Sequence, residues 1–552
     1  MMFRAAGWVT AAITLTALAA CAPQDRTADV GIAPPPPPSA PAPAYEAGAA
    51  LRLTGARPVR GLAAPAPPVD REEYRAVDEN PIKAVAEEPV STFSIDVDTA
   101  SYAVARRYLN DGVLPPTDAI RAEEIINYFD YEYPLPQSEQ APFAATTTLT
   151  DTPWNPDTQL LHIAVQGYDV IPEERPRANL VFLIDVSGSM GAPDKLPLAL
   201  QGLRLMLGQM DRDDTIAVVV YASASGVVLE PTPVSERGRI EAALDTLSAG
   251  GSTAGGEGLR LAYALAERNF DRDAVNRVIL VTDGDFNVGV TQDERLEDFV
   301  ARKRDSGIYL SVMGFGRGNY NDALMQTIAQ AGNGTAGYVD TLQEARRLLV
   351  EEASSTLFPI ADDVKIQVEF NPARVAEYRL IGYETRALER ADFNNDAVDA
   401  GEIGSGRSVT AIYEITAPDS PARMIDPLRY GGDAALGDAR GADGEFAFVR
   451  IRYKRPGEEE SRLIETPVTD ADARAFSDAG QEVRFAIAAA GYAQLLRGSD
   501  FVSDFTYDDV ITAAQGARGE DPFGYRAEFV QLARLAQSAA AQAALPGGTG
   551  RE

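Results

Sequence analysis

Apolar residues change their spacing repeatedly along this chain, and each change predicts where one kind of structure gives way to another. Within residues 76–142, Thr92 to Ile95 reads as a short strand, and helical spacing follows over Ala100 to Asn110 and Ala119 to Phe129. Phe143 to Thr150 and Gln159 to Tyr168 alternate partly in period two, the pattern of half-buried strands.

From Asn179 unbroken apolar runs take turns with amphipathic stretches. Leu180 to Ile184, Thr215 to Tyr221, Arg277 to Val281 and Ile308 to Met313 read as strands. Lys195 to Met210, Arg237 to Leu247, Gly258 to Asn269, Gln292 to Arg304, Asp322 to Ala331 and Leu342 to Glu352 read as helices. Strands without polar alternation must be covered on both faces, so the expected fold is α/β, a doubly wound, mostly parallel, Rossmann-like sheet.

Past Ser355 strands return at Val364 to Phe370, Tyr378 to Ile381, Val409 to Ile415, Ala447 to Tyr453 and Arg462 to Thr466, before helices at Val483 to Leu496 and Arg526 to Ala544. The β segments on either side of the α/β unit are expected to form one sandwich with that unit inserted between them. The divisions are 76–175 for an N-terminal α+β module, 176–355 for the α/β domain and 356–552 for a C-terminal module, β-rich and then helical.

The start of the chain follows other rules. Arg4 precedes a largely apolar stretch over residues 5–20, shorter than the about 20 residues that a spanning helix needs. Residues 1–20 therefore read as a signal peptide. Leu18-Ala19-Ala20-Cys21 resembles the lipobox of bacterial lipoproteins, which implies that Cys21 is lipid-modified and becomes the new N-terminus. By the same resemblance, Ala22 favours the outer membrane, facing the periplasm. Residues 21–75 are rich in Pro and Ala, including the run Pro34 to Pro38, and predict an extended spacer. No second apolar run approaches spanning length, so membrane contact is expected through the lipid anchor alone.

Length and charge narrow the function. At roughly 150 residues per domain, 552 residues suggest about three. A net charge of -32, from 82 acidic and 50 basic residues, repels phosphate backbones, so nucleic acid is not an expected partner. One Cys and one His cannot build a Cys/His zinc site or an intrachain disulfide. A Ser-His-Asp triad would have to use His162, which sits in strand-like Leu160 to Val165 with no nucleophile elbow near any serine. His162 is expected to be packed, and the chain is not expected to be an enzyme.

What remains is oxygen chemistry at strand ends. Leu183-Ile184-Asp185-Val186-Ser187-Gly188-Ser189-Met190 puts one carboxylate and two hydroxyls behind an apolar strand, at the edge where open α/β sheets bind ligands. Gly250-Gly251-Ser252-Thr253-Ala254-Gly255 adds a hydroxyl on a glycine-rich turn, and Ile279-Leu280-Val281-Thr282-Asp283-Gly284 adds a second strand-end carboxylate. Carboxylate and hydroxyl oxygens without nitrogen or sulfur suit a hard octahedral cation, Mg²⁺ first, with Mn²⁺ or Ca²⁺ as alternatives. Two carboxylates only neutralise such an ion, which leaves it electrophilic toward an Asp or Glu of a partner protein.

Together these three segments resemble the metal-ion-dependent adhesion site of von Willebrand factor type A domains, over residues 176–355. The resemblance implies that Ser187, Ser189 and Thr253 bind the ion directly or nearly so, and that Asp185 and Asp283 act directly or through water. The flanks, Phe93 to Tyr102, Gly314 to Asp322 and Asp399 to Gly404, resemble bacterial type A lipoproteins of the YfbK kind. The function so implied is an envelope-anchored lipoprotein binding a protein partner through Mg²⁺; the alternative is a structural envelope protein whose metal is a folding or assembly staple.

Other motifs read more plainly. Asp96-Val97-Asp98-Thr99-Ala100 begins like a phosphotransferase loop, but Ala100 breaks the pattern, and Asp98 or Thr99 is expected to cap the next helix. Asp392 to Asp396 begins like a calcium loop but lacks the Gly and Glu of an EF-hand. Tyr128, Phe129, Tyr131 and Tyr133 are expected to be buried against the β module.

Overall fold

A computed structural model describes residues 72–544, apart from 73, 96–97, 137–140, 170–174, 254, 285–292, 319, 353–356, 397, 399, 427–443, 459 and 503. These lie in the compact unit Pro68–Glu552. The predicted signal segment, Cys21 and the spacer up to residue 71 fall outside the described residues, as do Asp96, Ala254 and Asp399.

Before the α/β unit come β1 (Lys83–Ala84), β2 (Val90–Ser94), α1 (Ala100–Asn110), α2 (Ala122–Ile126), β3 (Phe143–Thr152) and β4 (Asn155–Gly167). The unit itself runs through β5 (Arg177–Asp185), α3 (Leu196–Leu207), β6 (Thr215–Tyr221), β7 (Ser225–Pro233), α4 (Arg237–Asp245), α5 (Gly255–Arg268) and β8 (Ala274–Thr282). It closes with α6 (Asp293–Arg304), β9 (Ile308–Phe315), α7 (Asp322–Ala331), β10 (Ala336–Val339) and α8 (Leu342–Arg346). Then follow β11 (Pro359–Phe370), β12 (Glu377–Leu380), β13 (Ala387–Leu388), β14 (Ile403–Gly404), β15 (Ser408–Thr416), β16 (Glu445–Lys454) and β17 (Arg462–Thr469). Helices Gln481–Arg497, Tyr507–Gly516 and Tyr525–Ala543 end the described chain.

The central sheet has the order β10-β9-β8-β5-β6-β7. Its strands are parallel except β7, which pairs antiparallel with β6. Both faces are covered, as the unbroken apolar strands require. Phe182 and Ile184 of β5 enter a core with α3 and α4, while Val181 and Leu183 point the other way into a core with α5, α6 and α7. Ala100, Ala103 and Val104 of α1 join the second core, which ties the N-terminal module to the sheet's outer layer. Helix α5 lies very close to the strands: a Cβ on Gly258 would sit 2.8 Å from Tyr221 Cβ and 3.1 Å from Leu183 Cδ1. Gly258→Ala is expected to cost about 1–3 kcal/mol by overpacking, measured as a lower urea midpoint with an unchanged slope; an unchanged midpoint would mean that the helix has room to move.

The other strands form the expected sandwich from both ends of the chain. One sheet is β1-β12-β15-β4-β3 and the other β13-β2-β11-β16-β17, with β14 beside β11. β4 pairs with β15 from Gln159↔Ile415 to Gln166↔Ser408, and β2 pairs with β11. Leu161, Ile163 and Val165 face the second sheet through a shared core with Ile366, Val368 and Val449. Leu160 and Ala164 face the opposite way, toward the C-terminal helices, and Tyr128, Phe129, Tyr131 and Tyr133 are buried in that core. His162 lies on the same side, buried, with Nε2 3.1 Å from Tyr133 Oη, and burial pushes its pKa down to about 4.

Two predicted helices change form. Ala119 to Phe129 is only α2 and a short 3₁₀ turn, because Asn127 bonds to the sheet instead of continuing the helix: its side chain donates to Thr410 O at 3.1 Å and accepts from Thr410 N at 2.7 Å. Leu342 to Glu352 starts as α8 and widens into a π turn over Arg347–Glu351, closed by Glu352 N donating to Arg347 O at 2.8 Å.

Buried ion pairs fasten this segment to its neighbours. Arg106 of α1 reaches Asp340 (Nε to Oδ2, 2.9 Å), Glu344 (2.7 Å) and Glu528 of the last helix (3.1 Å). Arg347 pairs with Glu344 at 2.8 Å and lies 4.0 Å from the Tyr128 ring centroid. At the edge of the described chain, Glu72 accepts from Arg107 at 2.7 Å and from the Gly318 N–H at 2.9 Å, clasping the last residues of the predicted spacer to the loop behind β9.

Candidate metal centre

Sheet winding reverses at β5, with β6 on one side and β8, β9 and β10 on the other. Asp185 ends β5 and Asp283 follows β8, so the two carboxylates flank the reversal point, where open α/β sheets bind ligands. Both are fully buried, although each stands at the end of an apolar strand.

Local side-chain turns shape each loop. Asp185 Oδ1 accepts the Ser187 N–H at 2.8 Å, which bends the chain immediately after the strand. Ser187 Oγ then lies 2.9 Å from Ser189 Oγ, and buried Met190 pins the loop to the core. After β8, Thr282 Oγ1 likewise accepts the Gly284 N–H at 3.2 Å. The glycine-rich turn docks through its backbone: Gly250 N donates to Val186 O at 2.7 Å, and Gly188 N donates to Gly251 O at 2.9 Å. Gly251 has φ +87°, and a Cβ there would lie 2.6 Å from Ser223 Oγ, so this approach needs glycine.

Hydrogen bonds thus join Asp185, Ser187 and Ser189, while Thr253, half-buried, enters through the docking of its loop. Asp283 enters through charge, because it helps to raise the pKa of Asp185. That pKa is pushed up to about 6, chiefly by burial, with hydrogen bonds from Ser187 and the nearby Tyr221 hydroxyl acting against the rise. Asp185 Oδ2 is buried and receives no hydrogen bond of full geometry from any described residue, although the Ser187 and Tyr221 hydroxyls lie near the carboxylate. A buried carboxylate oxygen in that position is destabilising unless a proton or a cation meets it.

The donor set fits a hard divalent ion: the buried Asp185 carboxylate, whose second oxygen lacks a full hydrogen bond, stands in the same loop as the paired Ser187 and Ser189 hydroxyls. Among the described residues no group of three or more His, Cys, Asp or Glu is arranged to hold a metal, so any ion here depends on those hydroxyls. Two participants carry little sequence signal. Lys195, at the N-cap of α3, is buried and donates from Nζ to Asp283 Oδ2 at 2.8 Å. Its one clue is a lone cation heading the apolar run Leu196-Pro197-Leu198. Tyr221, beside Asp185 in the β5–β6 register, has its hydroxyl pKa raised by burial and by the Asp185 charge.

Comparison with known proteins places the chain. Residues 180–285 match a family model described as von Willebrand factor type A domain, 68–162 one described as von Willebrand factor, and 355–539 one described as "Uncharacterized protein YfbK, C-terminal". YfbK of Escherichia coli strain K12 is 45% identical over 469 residues, covering 84% of this chain and 80% of its own length. Among solved structures, a von Willebrand factor type A protein from Catenulispora acidiphila aligns over 71% of this chain and 89% of its own, at 16% identity and TM-score 0.39. Proximal thread matrix protein 1 of the mussel byssus, described with zinc occupying its MIDAS motif, aligns over 32% of this chain and 45% of its own at 21% identity and TM-score 0.27. With family models matched before, within and after the inserted sheet, and a relative 45% identical over most of both lengths, the chain belongs to the YfbK family of von Willebrand factor type A domain proteins.

Proposed function

We propose that this chain is an envelope-anchored lipoprotein, tethered through Cys21 to a membrane facing the periplasm, whose type A domain binds a protein partner through a divalent ion. Asp185, Ser187, Ser189, Thr253 and Asp283 hold the ion, Mg²⁺ by preference, and an Asp or Glu of the partner completes its shell. The observation that carries this reading is the buried, unsatisfied Asp185 Oδ2 beside two paired serine hydroxyls at the sheet's reversal point. Catalysis is not part of the proposal: the only histidine, His162, is buried beside Tyr133 in the core under the C-terminal helices and supplies no base to the site.

The same buried oxygen favours a second reading, in which the ion is a staple, because a cation there also relieves strain in the fold. Two measurements separate them. The compact unit from Pro68, used as bait on envelope extracts, is expected to retain a protein with Mg²⁺ and to lose it with EDTA or with Asp185→Ala. Identical captures in all three arms, together with a large fall in melting temperature on Mg²⁺ removal, would replace partner binding with the staple.

A further inference from the structure

Lys195 reaches the metal site by a path cut for it. Its stem crosses Gly316, the residue after β9, which has φ +75°; a Cβ there would stand 2.2 Å from Lys195 Cγ and 2.5 Å from Cε. The side chain is buried, and its ammonium ends 2.8 Å from one oxygen of fully buried Asp283. The site therefore carries a cation of its own, covalently attached and positioned by a helix start on one side and a glycine on the other.

Counting charge shows what that cation does. Two carboxylates balance a divalent ion, so a site of Asp185, Asp283 and Mg²⁺ would be neutral; adding Lys195 makes the loaded site net positive by one. A buried positive charge is attracted to an anion more strongly than to the dipole of a neutral donor, and the difference is large where water is scarce. The same charge opposes the arrival of the metal.

We infer that Lys195 is the residue that sets ligand choice at this site, making the loaded centre select carboxylate over neutral oxygen donors at some expense in metal affinity. This rests on the metal-binding reading above and adds to it the residue of this chain that makes the centre prefer the partner's ionised carboxylate to an amide, hydroxyl or backbone carbonyl.

Lys195→Met keeps the stem that packs on Gly316 and removes the charge; Lys195→Arg keeps the charge. The full chain and both variants are titrated with Mg²⁺ by calorimetry. The Mn²⁺-loaded forms are then titrated with acetate and with acetamide, which match in shape and differ in charge, following Mn²⁺ spin resonance and water-proton relaxation. The expected results for Lys195→Met are Mg²⁺ binding about tenfold tighter and an acetate-over-acetamide preference reduced about fivefold or more, with Lys195→Arg close to wild type in both. Equal preference in wild type and Lys195→Met, or an equal loss in Lys195→Arg, would overturn the inference while leaving the metal site standing. A wild-type chain that takes up neither Mg²⁺ nor Mn²⁺ would overturn both.

Discussion

Asp185→Asn is expected to abolish metal binding and, without metal, to make the protein more stable. The amide keeps an oxygen for the Ser187 N–H, now held at 2.8 Å, so the turn after β5 survives. What disappears is a buried negative charge whose pKa stands at about 6 against an ordinary 3.8, raised chiefly by burial. A raised carboxyl pKa means that the folded state binds the proton more tightly than the unfolded one. The contribution of this one group to the metal-free fold is accordingly fully present below pH 3.8 and lost as pH rises through 6, by about 3 kcal/mol for roughly two pH units. Urea titrations in EDTA should find Asp185→Asn about 2–3 kcal/mol more stable than wild type at pH 7, with the difference shrinking toward pH 4. Calorimetry should show Mg²⁺ affinity falling by about a hundredfold or more. A variant that loses stability equally at both pH values would assign Asp185 to the fold and not to an ion.

Arg106→Met is expected to be the most damaging single change away from the site. Arg106 is almost wholly buried and serves Asp340, Glu344 and Glu528 at once, so its loss leaves Asp340 buried without its cation and Glu344 with Arg347 alone. Removing one partner of a buried ion cluster costs about 3–5 kcal/mol, a large part of the 5–15 kcal/mol or so by which proteins exceed their unfolded state. The damage should spread across the seam between α1, the segment after β10 and the last helix. Adding Asp340→Asn removes one stranded charge and should recover about 1–2 kcal/mol. Chemical denaturation with both variants checks this; a double variant weaker than the single one would show that Asp340 needs its charge for another reason.

Sequence pattern made the α/β unit legible because its strands are buried on both faces. β6 and α7 have the predicted limits, and the order of alternating elements is as read. Two strands left no such mark. β7 carries Gly226, Pro231 and Pro233, residues that weaken a strand but are tolerated at an antiparallel edge, and β10 has only four residues. The helix predicted through Phe129 fails for a tertiary reason, since Asn127 finds better partners in the sheet than in the next helical turn. At the site, the pattern points to Asp185, Ser187, Ser189, Thr253 and Asp283 because they stand behind apolar strands or in a glycine-rich turn, and the structure joins the first three by hydrogen bonds. The pattern does not point to Lys195, because its role depends on Gly316, more than a hundred residues away, lying beneath its stem.

The interleaved sandwich also fixes an order of events during synthesis. The inserted unit has all its strands between Arg177 and Val339 and can close as soon as they have emerged. β3 and β4 cannot finish early: β4 waits for β15, which begins at Ser408, while β4 itself ends at Gly167. At translation rates of about 5–20 residues per second, that hairpin stands with an unpaired edge and the apolar residues of β4 uncovered for roughly 10–50 s. Aggregation risk is concentrated in this interval, and a chain cut short between the inserted unit and β15 would carry that exposed hairpin permanently.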